Sequence, residues 1–443
     1  MCGVSAAERR PNRAGGIGIA RGAVGAIFAD ELVPMLSLLF LLAAWGPEGV
    51  WPPIGLRQLV DSGEHRDSVA PVTNRAAPLR PVMPALWSND YGGVTLGVRA
   101  RPMRTPDTER GLFVASAATR GDATSAVSLY GRWHNPFVLG PGVATSVAMW
   151  SVEGRSGAAV TVDRAARRPG HTGADRHEGI TALWMATTNL GYLDRRLWDD
   201  AGSLEIGPWI STAVRHGETV LRARGAVSLG LVYQHATPLG AYTYKGLGRI
   251  TGEVSVRTPL SRGTTFGVRV FTGASLGSSN PVRQLRVAVA GADPYETFTN
   301  PLLRSRGALL VRPDFHYHAP GGANLRGFRN DLGGRWAVGV NLELTQAIMR
   351  RNAGFLRGAA FEVFVDLGVV DTVAVPSSPP GQWYTTLYDG GLGIVTQHRV
   401  RDLAWTMRFE LPLAVNHWNL AADYPANSTR FALRWQVSFS PSF

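Results

Sequence analysis

The chain ends in the stretch FALRWQVSFSPSF, residues 431–443. Its side chains alternate, with Phe431, Leu433, Trp435, Val437, Phe439 and Phe443 on one face and Ala432, Arg434, Gln436, Ser438 and Ser440 on the other. Period-two alternation that stops at a terminal phenylalanine is typical of the closing strand of an outer-membrane β-barrel, with one face toward lipid and one toward a wet lumen. We expect Trp435, Phe439 and Phe443 to form the C-terminal signal by which such a barrel is assembled.

The composition agrees with a membrane barrel. Of 443 residues, 45% are hydrophobic and 18% are charged, and there is no run of the roughly 18 apolar residues that a spanning helix needs. Because lipid offers the backbone no hydrogen-bond partners, a membrane protein without such helices has to close a sheet on itself. The single cysteine, Cys2, excludes a disulfide framework and a cysteine-built zinc site.

The formal net charge of +12 is almost entirely arginine, since Lys245 is the only lysine. Nucleic-acid-binding proteins usually cluster Lys and Arg along one helix or face, whereas here arginine is scattered among alternating segments. We therefore assign the arginines to the lumen and loops and expect no nucleic-acid partner. The sequence predicts no cofactor.

The N-terminal region predicts export. Residues 35–44 read MLSLLFLLAA, which has the length of the apolar core of a signal peptide and ends in small residues. Residues 1–34 are either an extended n-region of the signal peptide or the product of a start codon assigned too early. The export signal is placed in residues 1–44. Residues 45–84 contain seven prolines and little periodicity, which favours a loosely extended periplasmic lead. The barrel is expected over residues 85–443.

From residue 91 onward, short alternating runs are separated by turn residues. The predicted strands cover residues 94–100, 113–118, 126–133, 143–152, 158–164, 179–188, 204–214, 220–234, 242–256, 265–276, 284–290, 335–346, 356–370, 389–396, 403–413 and 431–439. Sixteen is an even number, as a single-chain bacterial barrel requires. The predicted fold class is an all-β, 16-stranded antiparallel transmembrane β-barrel.

Side-chain parity in the later strands predicts the two faces of the wall. The lipid-facing set is Trp336, Val338, Val340, Leu342, Leu344, Leu403, Trp405, Met407, Phe409 and Leu411. The lumen-facing set is Gly339, Asn341, Glu343, Thr406, Arg408 and Glu410. A soluble β-sandwich also alternates, but it would bury its aromatic side chains between two sheets. The pattern therefore favours a barrel.

Residues 321–328 read GGANLRGF and resemble the signature of the sixth extracellular loop in the BamA/TamA outer-membrane assembly superfamily, also called the bacterial surface antigen family. In that family a [V/L]-R-G-[F/Y] tip folds back into the lumen. The resemblance implies that Leu325, Arg326, Gly327 and Phe328 form this tip, within an inward-folded loop near residues 318–332.

Two further motifs stand where the family places them. An F-x-D element holds Phe364 and Asp366, and a G-x-G element in the next strand holds Gly391 and Gly393. Parity places all four in the lumen, because Phe361, Val363 and Val365 point outward. The resemblance implies that Arg326 pairs with Asp366 as a structural lock, beside glycines that leave room for the loop and Phe364.

The chain departs from the assembly factors of that family, which carry periplasmic POTRA domains before the barrel, since the predicted lead is too short for one. Residues 86–99, LWSNDYGGVTLGVR, are also similar to the opening of barrels fused behind zinc aminopeptidases in some bacteria. No H-E-x-x-H motif occurs, because His177 and Glu178 lack a second histidine. A separately encoded or truncated barrel is therefore one reading of the chain.

Three other patterns have ordinary explanations. Residues 273–277, GASLG, match a nucleophile elbow around Ser275, but they lie within a predicted strand and not in a strand–turn–helix. Asp314, His316 and His318 alternate onto one face, and we interpret them as a polar patch and predict no metal site. An interfacial aromatic girdle is expected near strand ends, from Trp133, Trp184, Trp198, Trp209, Trp383 and Trp418.

The resemblance implies protein translocation, insertion or assembly at the bacterial cell outer membrane, without enzymatic activity. The implied partners are outer-membrane lipid and lipopolysaccharide, the barrel-insertion machinery of the host, and client or secreted proteins. The alternatives are a membrane anchor or partner barrel for an exported enzyme, a passive solute pore and, last, an outer-membrane lipase or protease.

Overall fold

The computed structural model describes fifteen stretches of the chain. They are residues 82–89, 92–100, 110–120, 126–135, 138–140, 142–165, 174–236, 241–277, 281–292, 318, 320–351, 353–371, 384–400, 403–422 and 429–441. The predicted export signal and all but the last three residues of the predicted lead lie outside them. No helix within these stretches is long and apolar enough to cross a bilayer.

The regular structure of the described residues is almost entirely strand. The strands are β1 (Val82–Asn89), β2 (Gly93–Ala100), β3 (Arg110–Ala118), β4 (Val127–Asn135), β5 (Val143–Val152), β6 (Arg155–Ala165), β7 (Ala174–Thr187), β8 (Ala201–His216), β9 (Thr219–Ala236), β10 (Ala241–Ser261), β11 (Thr264–Leu276), β12 (Val287–Ala288), β13 (Gly333–Gly334), β14 (Trp336–Arg350), β15 (Leu356–Asp371), β16 (Tyr384–Val400), β17 (Leu403–Val415) and β18 (Gln436–Pro441). Single 3-10 turns cover Arg283–Leu285 and Trp418–Leu420.

Sixteen strands form one sheet in sequence order, β1 to β11 followed by β14 to β18. Neighbouring strands pair antiparallel throughout, from β1 with β2 to β17 with β18. The all-β class and the sixteen antiparallel strands predicted from the sequence are thus confirmed. The described pairings do not join the end strands β1 and β18 to each other.

One predicted wall strand was wrong and one real strand was missed. Residues 284–290 do not enter the large sheet, because their two-residue strand β12 pairs with β13. The first wall strand, β1, lies at residues that sequence analysis assigned partly to the Pro-rich lead. Its alternation is weak and Pro84 interrupts it, which explains the omission.

The outward face of the sheet exposes a large apolar side chain on strand after strand. Examples from β4 to β11 and β14 to β17 are Leu129, Met149, Val160, Ile180, Leu204, Leu229, Ile250, Val270, Leu344, Val363, Ile394 and Phe409. The inward face of the same strands buries polar groups, namely Ser128, Ser146, Thr161, Thr181, Ser203, Ser228, Arg249, Ser275, Asn341, Asp366, Asp389 and Glu410. The predicted parity is confirmed at Val338, Leu344 and Phe409, which are exposed, and at Asn341 and Thr406, which are buried.

The inward face wraps around two apolar clusters. The first joins residues as far apart in the sheet as Val114 on β3 and Leu247 on β10, and the second joins Phe271 on β11 to Val415 on β17. Trp198 and Trp209 belong to the first cluster and are 2% and 4% exposed. Their predicted place in an exposed aromatic girdle was therefore wrong, since both rings point inward.

The C-terminal strand is shorter than predicted. It begins at Gln436, and Phe431 makes only an isolated bridge to Ala414. The β17–β18 ladder ends at the pair Glu410–Gln436, two residues before Pro412, whose nitrogen donates no hydrogen bond. Val437 was predicted to face lipid but is buried, and its carbonyl accepts a 2.9 Å hydrogen bond from the backbone nitrogen of His318.

Candidate functional site

The loop that precedes β13 and follows the 281–292 segment brings the four predicted tip residues to the inward face of the sheet. Leu325, Arg326, Gly327 and Phe328 are all buried. The backbone nitrogen of Leu325 donates to Val289, and the carbonyl of Gly327 accepts from Ala422 at 3.1 Å. The loop is therefore held on both sides by backbone hydrogen bonds.

Arg326 is 1% exposed and meets Asp366 of β15 edge-on. Its Nε lies 2.8 Å from Oδ2, and its Nη2 lies 2.8 Å from Oδ1. The backbone nitrogen of Arg326 donates to the same Oδ2 at 3.1 Å. A fork-to-fork pair of this kind is among the strong charge-assisted hydrogen bonds.

The remaining guanidinium nitrogen of Arg326 reaches three further carboxylates. Its Nη1 lies 3.2 Å from Glu343 of β14, 3.1 Å from Glu362 of β15 and 2.9 Å from Glu410 of β17. Desolvation alone would lower the pKa of Arg326, but the charges of Asp366, Glu410 and Glu343 outweigh it and hold that pKa well above its ordinary value. One loop side chain thus ties three wall strands together.

A second arginine neutralises the same carboxylates from the wall. Nη1 of Arg408 lies 2.8 Å from Glu362 and 3.4 Å from Glu343. Gln436 of β18 donates to Glu410 at 3.0 Å. Because buried carboxylates are costly without partners, the two arginines are needed to keep them on the inward face.

The predicted phenylalanine and glycines surround this network. The guanidinium carbon of Arg326 lies 3.8 Å from the centre of the Phe364 ring, as in a cation–π contact. A Cβ on Gly391 would lie 2.0 Å from the carbonyl oxygen of Leu411 and 2.8 Å from the tip of Phe364, so the neighbouring backbone and the ring both require a glycine there. A Cβ on Gly393 would lie 3.3 Å from Cγ of Glu410, which is a tight contact beside the network.

Sequence analysis missed two glycines that make room for the loop. A Cβ on Gly339 would lie 2.6 Å from the carbonyl oxygen of Ala323, and one on Gly368 would lie 2.8 Å from Cδ2 of Leu325. Parity had placed Gly339 in the lumen without a role. The sequence pattern that could have predicted this role is a pair of glycines at inward positions of adjacent strands, since a glycine within a strand often marks a place where another backbone approaches closely.

His318 and Asn324 stabilise the entry to the loop. The ring Nε2 of His318 lies 2.8 Å from Oδ1 of Asn324, and Asn341 donates to the carbonyl of Asn324 at 2.9 Å. Burial lowers the pKa of His318 below its ordinary value.

Asp314 and His316, the other members of the alternating patch, lie outside the described residues. The described residues hold no group of three or more His, Cys, Asp or Glu suited to a metal ion.

A second inserted segment, residues 188–200 between β7 and β8, was not predicted. It buries Tyr192 and places Leu193 and Trp198 in the first apolar cluster. It docks on the 281–292 segment through Asp199, whose backbone nitrogen lies 3.0 Å from Gln284 Oε1 and whose Oδ2 lies 2.8 Å from the backbone nitrogen of Arg283. The 188–200 segment and the loop around Arg326 thus both contact the 281–292 segment, the first through Gln284 and the second through Val289.

The C-terminal signal residues are only partly described. Trp435 stacks on Phe409 with ring centres 6.1 Å apart. Phe439 lies in β18, where it pairs with Met407. Phe443 lies outside the described residues.

No protein-family model matches the sequence, and no curated protein sequence matches it significantly. Similar solved structures include CdiB from Acinetobacter baumannii, 12% identical over 82% of this chain and 59% of that one, with a TM-score of 0.44. They also include CdiB from Escherichia coli, 10% identical over 82% of this chain and 63% of that one, with a TM-score of 0.45. BamA from Haemophilus ducreyi lacking POTRA domains 1–3 is 10% identical over 80% of this chain and 69% of that one, with a TM-score of 0.42.

The chain spans about three fifths of the length of the two CdiB chains. BamA gives its name to the family whose loop signature residues 321–328 resemble. The fold and the site define an antiparallel β-sheet protein with an apolar outward face and a loop arginine held by inward carboxylates.

Proposed function

We propose that the chain is a bacterial outer-membrane β-barrel that translocates, inserts or assembles proteins, and that it has no catalytic activity of its own. The observation that carries this proposal is the combination of an apolar outward face with an arginine-anchored loop inside. The resemblance of the tip residues to the surface antigen signature is the reason for proposing protein translocation, insertion or assembly.

Membrane placement is supported by the exposed side chains. Leu204, Ile206, Leu229 and Leu231 of adjacent strands are all more than half exposed. Soluble monomers rarely expose contiguous apolar patches larger than a few hundred Å². A hydrocarbon layer around the sheet removes this surface from water at no structural cost.

The filled interior argues against a passive solute pore. Arg326 and Phe364 occupy the inward side of β14 to β17, and Trp198 and Trp209 occupy that of β5 to β8. A solute path then requires an inserted segment to move. A conduit that opens for a client protein agrees with this arrangement better than a permanently open channel.

The proposal is tested by depleting the protein in its own bacterium and quantifying the outer-membrane and secreted proteomes by mass spectrometry. Selective loss of one exported protein supports translocation, and general loss of barrels supports assembly. An Arg326→Ala strain should reproduce the defect, whereas an Arg335→Ala strain serves as the control. Unchanged proteomes after depletion would refute the proposal and leave the anchor-barrel alternative.

A further inference from the structure

One carboxylate beside the Arg326 network has no cation. Glu343, Glu362, Asp366 and Glu410 each accept a hydrogen bond from Arg326. Asp389 of β16 is just as buried, at 2% exposure, yet no arginine or other cationic side chain of the described residues bonds either of its oxygens, and the donor nearest to it is the backbone nitrogen of Gly327. A buried ionised carboxylate without a cation is strongly disfavoured.

Asp389 stands directly opposite Asp366 in the β15–β16 register. On its other side, in β17, it pairs with Val415, which is apolar. The inserted loop closes over it, because a Cβ on Gly327 would lie 2.8 Å from the Cβ of Asp389. Asp389 is therefore enclosed by a like-charged carboxyl, an apolar side chain and the tip of the loop.

The hydrogen-bond inventory shows which of the two aspartates is ionised. Asp366 accepts bonds from the backbone nitrogen, Nε and Nη2 of Arg326, and from Nδ2 of Asn341 at 3.0 Å. Four donors suit a carboxylate, which has about four acceptor positions. Two opposed carboxylates in a water-poor site cannot both be ionised, so the proton belongs to Asp389.

We propose that Asp389 and Asp366 form a proton-binding site at the seat of the inserted loop, in which Asp389 holds the proton and Asp366 carries the negative charge that Arg326 and Asn341 satisfy. The ligand is a single proton. Its loss leaves two facing anions directly beneath Gly327, and the loop is then expelled. This inference rests on the proposed function, because it concerns the same inserted loop. It adds that alkaline pH releases the loop from the wall.

The charged groups that face Asp389 are few. Asp366 faces it from β15 and raises its affinity for a proton, whereas Arg326 of the loop lowers it, although Arg326 is already engaged by Asp366 and three glutamates. From β17, Glu410 is bonded to Arg326 and Gln436. His318 at the loop entry titrates on the acid side and does not contribute to release in alkali.

The test compares the wild-type protein with Asp389→Asn, which keeps the shape and stays uncharged at every pH. Protease cleavage of residues 321–330 is followed in detergent from about pH 6 to about pH 10, with the rate expected to rise about tenfold per pH unit below the wild-type midpoint. The variant should stay protected over this range. The matched control is Asp371→Asn, because Asp371 is equally buried but is bonded by Arg335 at 2.7 Å.

Infrared spectroscopy supplies a second measurement that needs no folded variant. The wild-type protein should show the carbonyl stretch of a protonated carboxyl at neutral pH and lose it over the same alkaline range as the loop. Absence of that band, or equal cleavage profiles for wild type and Asp389→Asn, overturns the proposal. Protease resistance of residues 321–330 that rises with sodium or potassium concentration at fixed pH also overturns the proposal, because a metal cation would then occupy the site. None of these outcomes depends on whether the protein has a client.

Discussion

Arg326 donates three hydrogen bonds to Asp366, from a loop to a wall strand forty residues further along the chain. The same aspartate carboxylate also faces Asn341 on β14 and Asp389 on β16. This pair therefore anchors the inserted loop to the centre of the wall, together with the contacts of Arg326 to three glutamates, and its loss is expected to loosen the loop.

Arg326→Ala should lower the stability of the protein by about 3–5 kcal/mol, because it leaves buried carboxylates without their cation. The double substitution with Asp366→Ala should cost clearly less than the sum of the single ones, since the two side chains interact directly. Thermal unfolding in detergent measures both effects.

The control for this pair is Arg335→Ala. Arg335 makes the same fork with Asp371, with Nε 2.7 Å from Oδ2, but its side chain is 42% exposed where that of Arg326 is 1% exposed. Its removal should cost clearly less than that of Arg326, because solvent screens the half-exposed guanidinium and its loss leaves one carboxylate without this cation, where Arg326 leaves four. Equal costs for the two arginines would contradict the lock.

Cysteine labelling should report the two faces of the wall. In a Cys2→Ser background, cysteines placed at Val338 or Phe409 should react only with lipid-soluble thiol reagents. Cysteines at Asn341 or Thr406 should react with small water-soluble reagents, at least in the unlocked Arg326→Ala protein. Mixed labelling would disprove the register, since a shift by one residue exchanges the faces completely.

Asp199→Ala should free the 188–200 segment. It removes the carboxylate that binds the backbone nitrogen of Arg283 at 2.8 Å, and a hydrogen bond to a charged group typically contributes about 1.5–3 kcal/mol. Faster proteolysis of the segment and higher single-channel conductance in planar bilayers are expected. Asp194→Ala is the control, because the Asp194 side chain pairs with Arg196 two residues away. Conductance that rises equally in both variants would argue against the docking role.

Acid should destabilise the loop entry through His318. Its folded-state pKa is lowered by burial, so the unfolded chain takes up the proton first as the pH falls below about 6.5. The stability contributed by neutral His318 is therefore present above that pH and is lost toward acid, by at most about 1.4 kcal/mol per pH unit. His318→Gln should remove this part of the acid dependence in thermal unfolding.

The exposed histidine at the end of β8 supplies the comparison for that measurement. His216→Gln changes a solvent-exposed ring and should leave the acid profile unchanged. An acid profile of the His318→Gln protein that matches wild type would show that the Asn324 contact is not coupled to protonation.

The sequence by itself determined the all-β class and the faces of the wall strands it placed. The predicted total of sixteen agrees with the structure because the wrong strand at residues 284–290 compensates for the missed β1. Period-two alternation requires only that side chains of one strand point alternately to two environments, so Val338, Asn341 and Phe409 could be placed without knowing their neighbours. The tip residues around Arg326 were found because a short motif carries its own spacing. Neither argument depends on which strands pair.

Only the tertiary structure decided which side chains come together on the inward face of the sheet. Sequence parity places Glu343 and Glu410 on the inward face, and Glu362 shares the parity of Phe364 and Asp366. The convergence of the three glutamates on Arg326 depends on the relative register of three strands, and no local pattern encodes that register. The inward position of Trp198 likewise depends on the distant 281–292 segment. Long-range contacts of this kind are fixed by packing and by the pairing of buried charges, which single-strand periodicity does not contain.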